Sequence, residues 1–364
     1  MEPWMLRHFH NASSPYYAGR RARTAIDEAR ARVAALIGAR EDEVIFTSGG
    51  TESVNAALHS LDELCGDGSI VTSAVEHSAV LRTAAALKRR VVHCGVFGNG
   101  RLDEEQYLSS LKNAAFAALM WANNETGVIF PIARAADHAS ERGLPFFCDA
   151  IQAAGKIPID VKEIPITMLA LSAHKFHGPK GVGALFLRRG SAFSPLLHGG
   201  GQEQGRRSGT ENVAAIVGMG VAAELAMRHF SESALAPMRD TLESRVMAAV
   251  SGVTRNGDIL ARLPNTTHLS FEGCEAAGLL ILLDDMGVYC SAGSACMSGK
   301  QHGSHVQKAM GIPDLVAKSS LRFSLSRYTT MDEIERAADC IARAVKKLRS
   351  VQSPGIGPVT VYQP

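Results

Sequence analysis

From residue 19 onward, short apolar runs, many of them β-branched, take turns with segments whose apolar positions recur at helical spacing. "RRARTAIDEARARVAALIG" (20–38) has apolar residues every three or four positions and stops at Gly38, while "EVIFTS" (43–48) reads as a strand. "TESVNAALHSL" (51–61) returns to the helical period. The alternation continues through "SIVTSAV", "HSAVLRTAAALKRR", "VVHCGVF", "AAFAALMWA", "ARAADHASERG", "LPFFCDA", "ITMLALSAH" and "GVGALFLRR". Such alternation predicts an α/β architecture whose mostly parallel sheet is covered on both faces. Ligands of these sheets collect beyond the carboxyl ends of the strands.

The helical stretch "TENVAAIVGMGVAAELAMRHF" (210–230) reads as the exit from this large domain, placed at 11–230. Beyond it, "ALAPMRDTLESRVMAAV", "NTTHLSFEG", "EAAGLLILLDDMG", "VYCSAG", "SSLRFSLSR" and "MDEIERAADCIARAVKKLRS" predict helix, strand, helix, strand, strand and helix. They form a smaller α+β domain over 231–350, to which residues 1–10 are assigned. The Pro/Gly-rich end "SPGIGPVTVYQP" reads as a flexible tail over 351–364.

Composition narrows the class. Hydrophobic residues make up 46% and charged residues 20% of the 364, a balance that builds a substantial core. A net charge of +2 gives no electrostatic reason to expect nucleic acid or an acidic membrane as partner, which leaves a small molecule as the expected substrate. The seven cysteines are odd in number, widely spread and mostly in apolar surroundings such as "FFCDA", as in a reduced compartment. "MEPWMLRHFH" lacks a positive segment followed by an apolar run, and no run of ~18 uncharged apolar residues occurs, so a cytoplasmic protein is expected.

Candidate chemistry lies at predicted strand ends. "LSAHKFHGPKGVGALFL" delivers Lys175 from a buried run into a Gly/Pro-rich turn, flanked by His174 and His177. A lysine is ordinarily a surface residue, but one in this setting suits Schiff-base chemistry with a carbonyl cofactor. If that cofactor is pyridoxal phosphate, the chain must also supply a phosphate cradle, an acid for the pyridine nitrogen and a ring stacker. "FTSGGTESVNAAL" offers Gly50 and Thr51 at a helix N-terminus for the phosphate. "FFCDAIQAAGK" ends a strand with Asp149 for the ring nitrogen, followed by Gln152 for the ring oxygen, though Asp149 could equally cap a helix. "AVEHSAV" places His77, and "WANNETG" places Asn124, after two further strands.

With these stretches together, the chain resembles the cysteine desulfurases, in the class V aminotransferase branch of pyridoxal-phosphate enzymes with the aspartate-aminotransferase-like fold. "SGGTESVNAAL", "VEHSAV", "NNETGV", "CDAIQAAGKIPID", "SAHKFHGPKGVGALF", "GGGQEQGRRSGTENV", "SAGSAC" and "SSLRFSLSR" follow the family's order between about residues 11 and 348. The resemblance implies that Lys175 binds the cofactor carbonyl, that Asp149 and Gln152 contact its ring, and that His77 stacks on it beside Asn124. It implies phosphate contacts from Gly50, Thr51, Ser172 and His174, with Thr210 reaching in from the other subunit of a homodimer. Arg322 would take the substrate carboxylate as a bidentate pair.

"SAGSACMSGKQHGSH" (291–305) poses a separate question. Cys290, Cys296, His302 and His305 could form a zinc set, but the spacing C-x5-C-x5-H-x2-H lacks the tight C-x2-C pair, and no metal is expected. A buried structural thiol is the common fate of a cysteine and suits Cys290, whereas the glycines and serines around Cys296 describe a loop. The resemblance implies that Cys296 takes sulfur from L-cysteine as a persulfide, leaving L-alanine, with His77 carrying a proton. It further implies delivery to a sulfur-acceptor protein for iron–sulfur cluster assembly or thiolation, with a transient cluster contact through Cys296. Family members open with a strand and an Asn-Ala-Ala-Thr-Thr-type loop that have no counterpart in "MEPWMLRH", and "SAGSAC" replaces the commoner Ser-Gly-Ser-Ala-Cys. The alternatives are a selenocysteine lyase, an aminotransferase, or a catalytically impaired sulfur-transfer partner.

Overall fold

The computed structural model describes residues 1–230, 235–293 and 304–351. They form two compact units: one from the described residues of Met1–Phe97, Arg101–Asn123 and Ile129–Ser233, the other from those of Gly98–Gly100, Asn124–Val128 and Ala234–Pro364.

The first unit runs α1 (Glu2–Leu6), α2 (Tyr17–Leu36), β1 (Val44–Thr47), α3 (Gly50–Leu64), β2 (Ser69–Ser73), α4 (Ser78–Ala86), β3 (Val91–Cys94) and α5 (Glu104–Ser110). It continues with β4 (Ala114–Met120), α6 (Ile132–Ser140), β5 (Phe146–Asp149), β6 (Met168–Ser172), β7 (Gly183–Leu187) and α7 (Val213–Phe230). The strands make one sheet in the order β1-β7-β6-β5-β4-β2-β3. Pairing is parallel from β6 to β3, and the strands β1, β2, β5, β6 and β7 are buried throughout, as near-continuous apolar runs such as "VIFT" and "MLALS" require when helices cover both faces.

Strand β7 is antiparallel to both neighbours. The connection 173–182 from β6 is shorter than the dozen or so residues that a parallel crossover needs, so the chain turns back as a hairpin. Gly183 opens β7 where a Cβ would lie 2.6 Å from the Leu171 carbonyl oxygen and 2.7 Å from the Gly49 carbonyl carbon, so only glycine lets the β1–α3 turn come this close.

Helix α7 is long and apolar enough, by length and composition alone, to cross a membrane; in this structure 39% of it is buried and it packs along α2. The two helices approach closely at Gly220, whose missing Cβ would sit 2.7 Å from the Ala29 Cα. Residues 1–10, assigned from sequence to the small domain, fall instead in the first unit. The reason is packing: α1 lies on α7, with the Met1 thioether beside the bare backbone of Gly218.

The second unit runs α8 (Leu235–Ala249), β8 (Val253–Arg255), β9 (Thr266–Phe271), α9 (Ala276–Asp285), α10 (His305–Ala309), α11 (Asp314–Ala317), β10 (Ser320–Ser324) and α12 (Met331–Val351). Its antiparallel sheet, ordered β10-β9-β8, packs Leu269, Phe271, Leu321 and Phe323 against Leu242, Leu279, Ile341 and Val345 of the helices. "VYCSAG", expected as a strand, makes a single bridge, Ser291 to Arg322. Strand β8 escapes sequence reading because its three residues are half-buried or exposed and carry no apolar alternation. From residue 352, the expected tail lies outside the described residues.

Replacing Gly220 with Leu is expected to lower unfolding stability by about 2 kcal/mol, because Ala29 backbone cannot yield. Val221→Leu, at a position 43% exposed on the same helix, is expected to change it little. Equal urea midpoints for the two variants would contradict the close approach of the helices.

Candidate active site

Because β1, β6, β5, β4 and β2 run the same way, their carboxyl ends share one edge of the sheet, and nearly every residue singled out in this unit follows one of them. Ser172 ends β6 buried, and beyond it a short 3-10 turn, Ala173–Phe176, presents Lys175 half-buried and His174 exposed. His177 closes the turn in the left-handed region at φ 69°. Burial, then the positive charge of Lys175, lowers the His174 pKa, so this imidazole is held neutral.

Asp149 ends β5, 4% exposed, and its Oδ1 accepts the Ile151 N–H at 3.0 Å. Burial raises its pKa to about 6, and the Ile151 bond and the Lys175 charge oppose the rise. Lys175 and Asp149 therefore act on one another electrostatically. Gln152 is placed less simply than expected: its Oε1 accepts from Lys156 Nζ at 2.8 Å, so its amide N–H2 is the end left to donate.

His77 follows β2 as the N-cap of α4, and its Nδ1 accepts the Ala79 N–H at 3.1 Å. The ring proton of the neutral form is thus on Nε2, which serves as a donor. Beside it stands a residue that sequence reading passed over. Glu76 is fully buried; its Oε1 accepts from Ser73 Oγ at 2.6 Å and from the Met120 N–H at 2.9 Å. Met120 is the register partner of Asp149, so this carboxyl ties the end of β2 to the strand beside the aspartate. Burial, together with the Asp149 charge, pushes the Glu76 pKa up to about 8 in spite of those hydrogen bonds. The signal for it was a charged residue inside "AVEHSAV", where the period calls for burial.

At the end of β1, Gly49 takes φ 155° and a Cβ there would meet nothing within 4 Å. No side chain caps α3, and the Ser53 N–H bonds to Gly49 O, so the N–H groups at Gly50 and Thr51 begin a fifteen-residue helix at an open turn. Glu52 fastens this turn: its carboxylate accepts from the Ser48 N–H at 2.9 Å and from Arg207 at 2.9 and 3.2 Å. Arg207 belongs to the segment that carries Thr210, which is exposed.

The second unit holds Asn124 and Arg322 together. Arg322, on β10, donates from Nη1 to the Asn124 carbonyl oxygen at 2.6 Å, and its strand bridges Ser291. Burial lowers the guanidinium pKa, while the negative charge of Glu125 resists. Arg322 Nε and Asn124 Oδ1 are buried polar atoms with no hydrogen-bond partner among the described residues, as suits groups that await a ligand. Cys290 packs against the apolar core of this unit, where burial raises its pKa to about 12 and makes it an inert thiol. Cys296 and His302 lie outside the described residues. Among the described residues, no group of three or more His, Cys, Asp or Glu is placed to hold a metal ion.

Residues 3–337 match the family Aminotransferase class-V, and the chain belongs to it. A cysteine desulfurase of Sinorhizobium fredii is 48% identical over 358 residues, covering 96% of this chain and 92% of that protein. The cysteine desulfurase NifS of Azotobacter vinelandii is 46% identical over 370 residues, covering 99% and 92%. A solved NifS-like protein superposes with a TM-score of 0.88 at 32% identity, covering 95% and 94%. Within the class V family, the chain is thus a member of the cysteine desulfurases, with their aspartate-aminotransferase-like fold.

The first unit's residues fit pyridoxal phosphate by their chemistry: an amine at a strand end, a buried carboxylate in its field, and an uncapped helix N-terminus whose Gly49 leaves room for an anion.

Glu76 carries a pH signature. Its pKa rises from an ordinary 4.5 to about 8 on folding, so the folded state binds the extra proton between those values. Its contribution is complete below about pH 4.5 and is lost as pH climbs toward 8, with a limiting slope near ~1.4 kcal/mol per pH unit. Glu76→Gln keeps the acceptor for Ser73 and Met120 without the titration, so its stability relative to the parent is expected to increase from about pH 5 to about pH 8. Denaturant midpoints whose difference stays flat across that interval would show that Glu76 is not held neutral.

Proposed function

We propose that this chain converts L-cysteine to L-alanine and passes the sulfur to Cys296 as a persulfide, using pyridoxal phosphate. The observation that carries the reading is the pairing of Lys175 with the buried Asp149 at one sheet edge, in a chain whose relatives are cysteine desulfurases. In this reading Lys175 holds the cofactor carbonyl, Asp149 and Gln152 face its ring, and His77 and Asn124 flank it. Gly50, Thr51, Ser172 and His174 hold its phosphate, with Thr210 supplied by the partner in a homodimer. When bound, the cofactor withdraws electrons from the substrate Cα and so permits bonds at Cα and Cβ to break.

The protein groups supply the rest. A bidentate pair from Arg322 orients the substrate carboxylate. The Lys175 amine, whose charge acts on Asp149, moves the Cα proton. His77 offers its Nε2–H as a donor to a thiol or thiolate sulfur, since its Nδ1 accepts from Ala79. A Cys296 thiolate is the nucleophile, and the substrate C–S bond breaks as the S–S bond forms. The balance is L-cysteine plus one thiol giving L-alanine plus one persulfide. Delivery to a protein acceptor for iron–sulfur cluster assembly is the fate that the NifS relative suggests.

Purified protein loaded with pyridoxal phosphate and given L-cysteine is expected to release L-alanine and to gain one sulfur on the peptide containing Cys296. Cys296→Ser is expected to lose both, and Lys175→Ala to lose the visible absorbance of the bound cofactor. Alanine release from the Ser variant at the parent rate would refute the persulfide role and favour a transaminase or selenocysteine lyase.

A further inference from the structure

Glu125 lies in "NNETGV" one residue past Asn124, 1% exposed, and none of the roles above uses it. Its carboxylate accepts the Ser304 hydroxyl, and Ser304 in turn caps α10, accepting the N–H groups of Val306 at 3.1 Å and Gln307 at 3.3 Å. A Cβ on Gly293, which takes φ 69°, would lie 3.5 Å from Glu125 Oε2 and 3.8 Å from Ser304 Cβ. Gly293 and Ser304 are the residues on either side of 294–303, so both stems of the cysteine-bearing segment meet at this one carboxylate. The same segment reaches Arg322, whose Nη1 donates to the carbonyl oxygen of the preceding Asn124 at 2.6 Å, and the Glu125 charge favours the guanidinium. Gln307 extends the connection: its Nε2 donates to Ser320 Oγ at 2.8 Å, at the start of the strand that carries Arg322.

We propose that Glu125 is a positioning residue: its buried carboxylate holds the capped start of α10, while the carbonyl of the preceding Asn124 holds the Arg322 guanidinium, so that this one segment couples carboxylate binding to the placement of α10. This rests on the reading of Arg322 as the carboxylate-binding residue. Two consequences are separable. As an anion whose charge acts on Arg322, Glu125 competes with an incoming carboxylate; as an acceptor, it fixes Ser304 and so the segment whose Asn124 carbonyl takes the guanidinium.

Holoenzyme variants Glu125→Gln and Glu125→Ala divide these effects, because Gln keeps the acceptor and loses the charge. The dissociation constant of L-alanine is expected to fall about fivefold in the Gln variant, as a competing ion pair is removed, and to rise in the Ala variant, where orientation is lost. Amide hydrogen exchange of the peptide spanning 304–311 is expected to quicken in Glu125→Ala and Ser304→Ala while exchange in β9 stays unchanged. Changes in the same direction for Gln and Ala, or unaltered exchange at 304–311, would overturn the proposal. So would a parent enzyme that binds no L-alanine, because Arg322 would then have no carboxylate to take. A parent that binds L-alanine yet makes none from L-cysteine would refute the desulfurase reading alone, and the two measurements on Glu125 would still decide this one.

Discussion

Parallel hydrogen bonding between strands that are buried on both faces governs the first unit. A strand inside such a sheet carries mostly apolar side chains along its length, since its backbone groups are spent on the ladder and its faces meet helices. Polar chemistry is thereby expelled to the strand ends. The Trp121 N–H bonds to the Asp149 carbonyl oxygen at 2.8 Å just past the β4–β5 pairing, and Glu76 reaches across to the Met120 N–H. Asp149 and the segment that leads to His77 are therefore placed by the register of strands far apart in sequence.

Two buried carboxyls near one another cannot both ionise cheaply, and this structure separates them. Glu76 accepts from the Ser73 hydroxyl and the Met120 amide, but burial outweighs these bonds and holds it neutral to about pH 8. Asp149 has in addition the Lys175 ammonium in its field and stays nearer the anionic range, at about 6. A cationic ring partner would lower it further. The neutral acid does structural work between strands while the charged one remains for a ligand.

The second unit shows the same economy in a polar core. Asn256 Nδ2 meets His268 Nδ1 at 2.9 Å and Ser270 Oγ at 2.7 Å; Ser270 and Ser320 share a bond of 2.7 Å, and Gln307 joins from α10. His268 is buried and its pKa falls to about 4, first from desolvation and then from the Arg322 charge, so it adds no second cation beside the guanidinium. Helix α10 has five residues, of which Val306 and Gln307 are buried, and these bonds add to the burial of Val306 in holding it.

The sequence by itself determined the alternation of elements, the burial of the strands and the strand-end placement of Lys175, Asp149 and His77, because local period and turn chemistry are properties of short segments. It also carried the family, through motifs spread over nearly the whole chain. It did not disclose the reversal of β7, where a short connection overrides an apolar run that reads like its parallel neighbours. Nor did it disclose that segments 98–100 and 124–128 leave the first unit for the second, or that residues 1–10 stay with the first. Glu76 and Glu125 were invisible as anything but acidic letters inside motifs. Their roles depend on Met120, Ser304 and Arg322, partners 44 and 179 residues away in the first two cases, and a contact of that span exists only once the chain has folded.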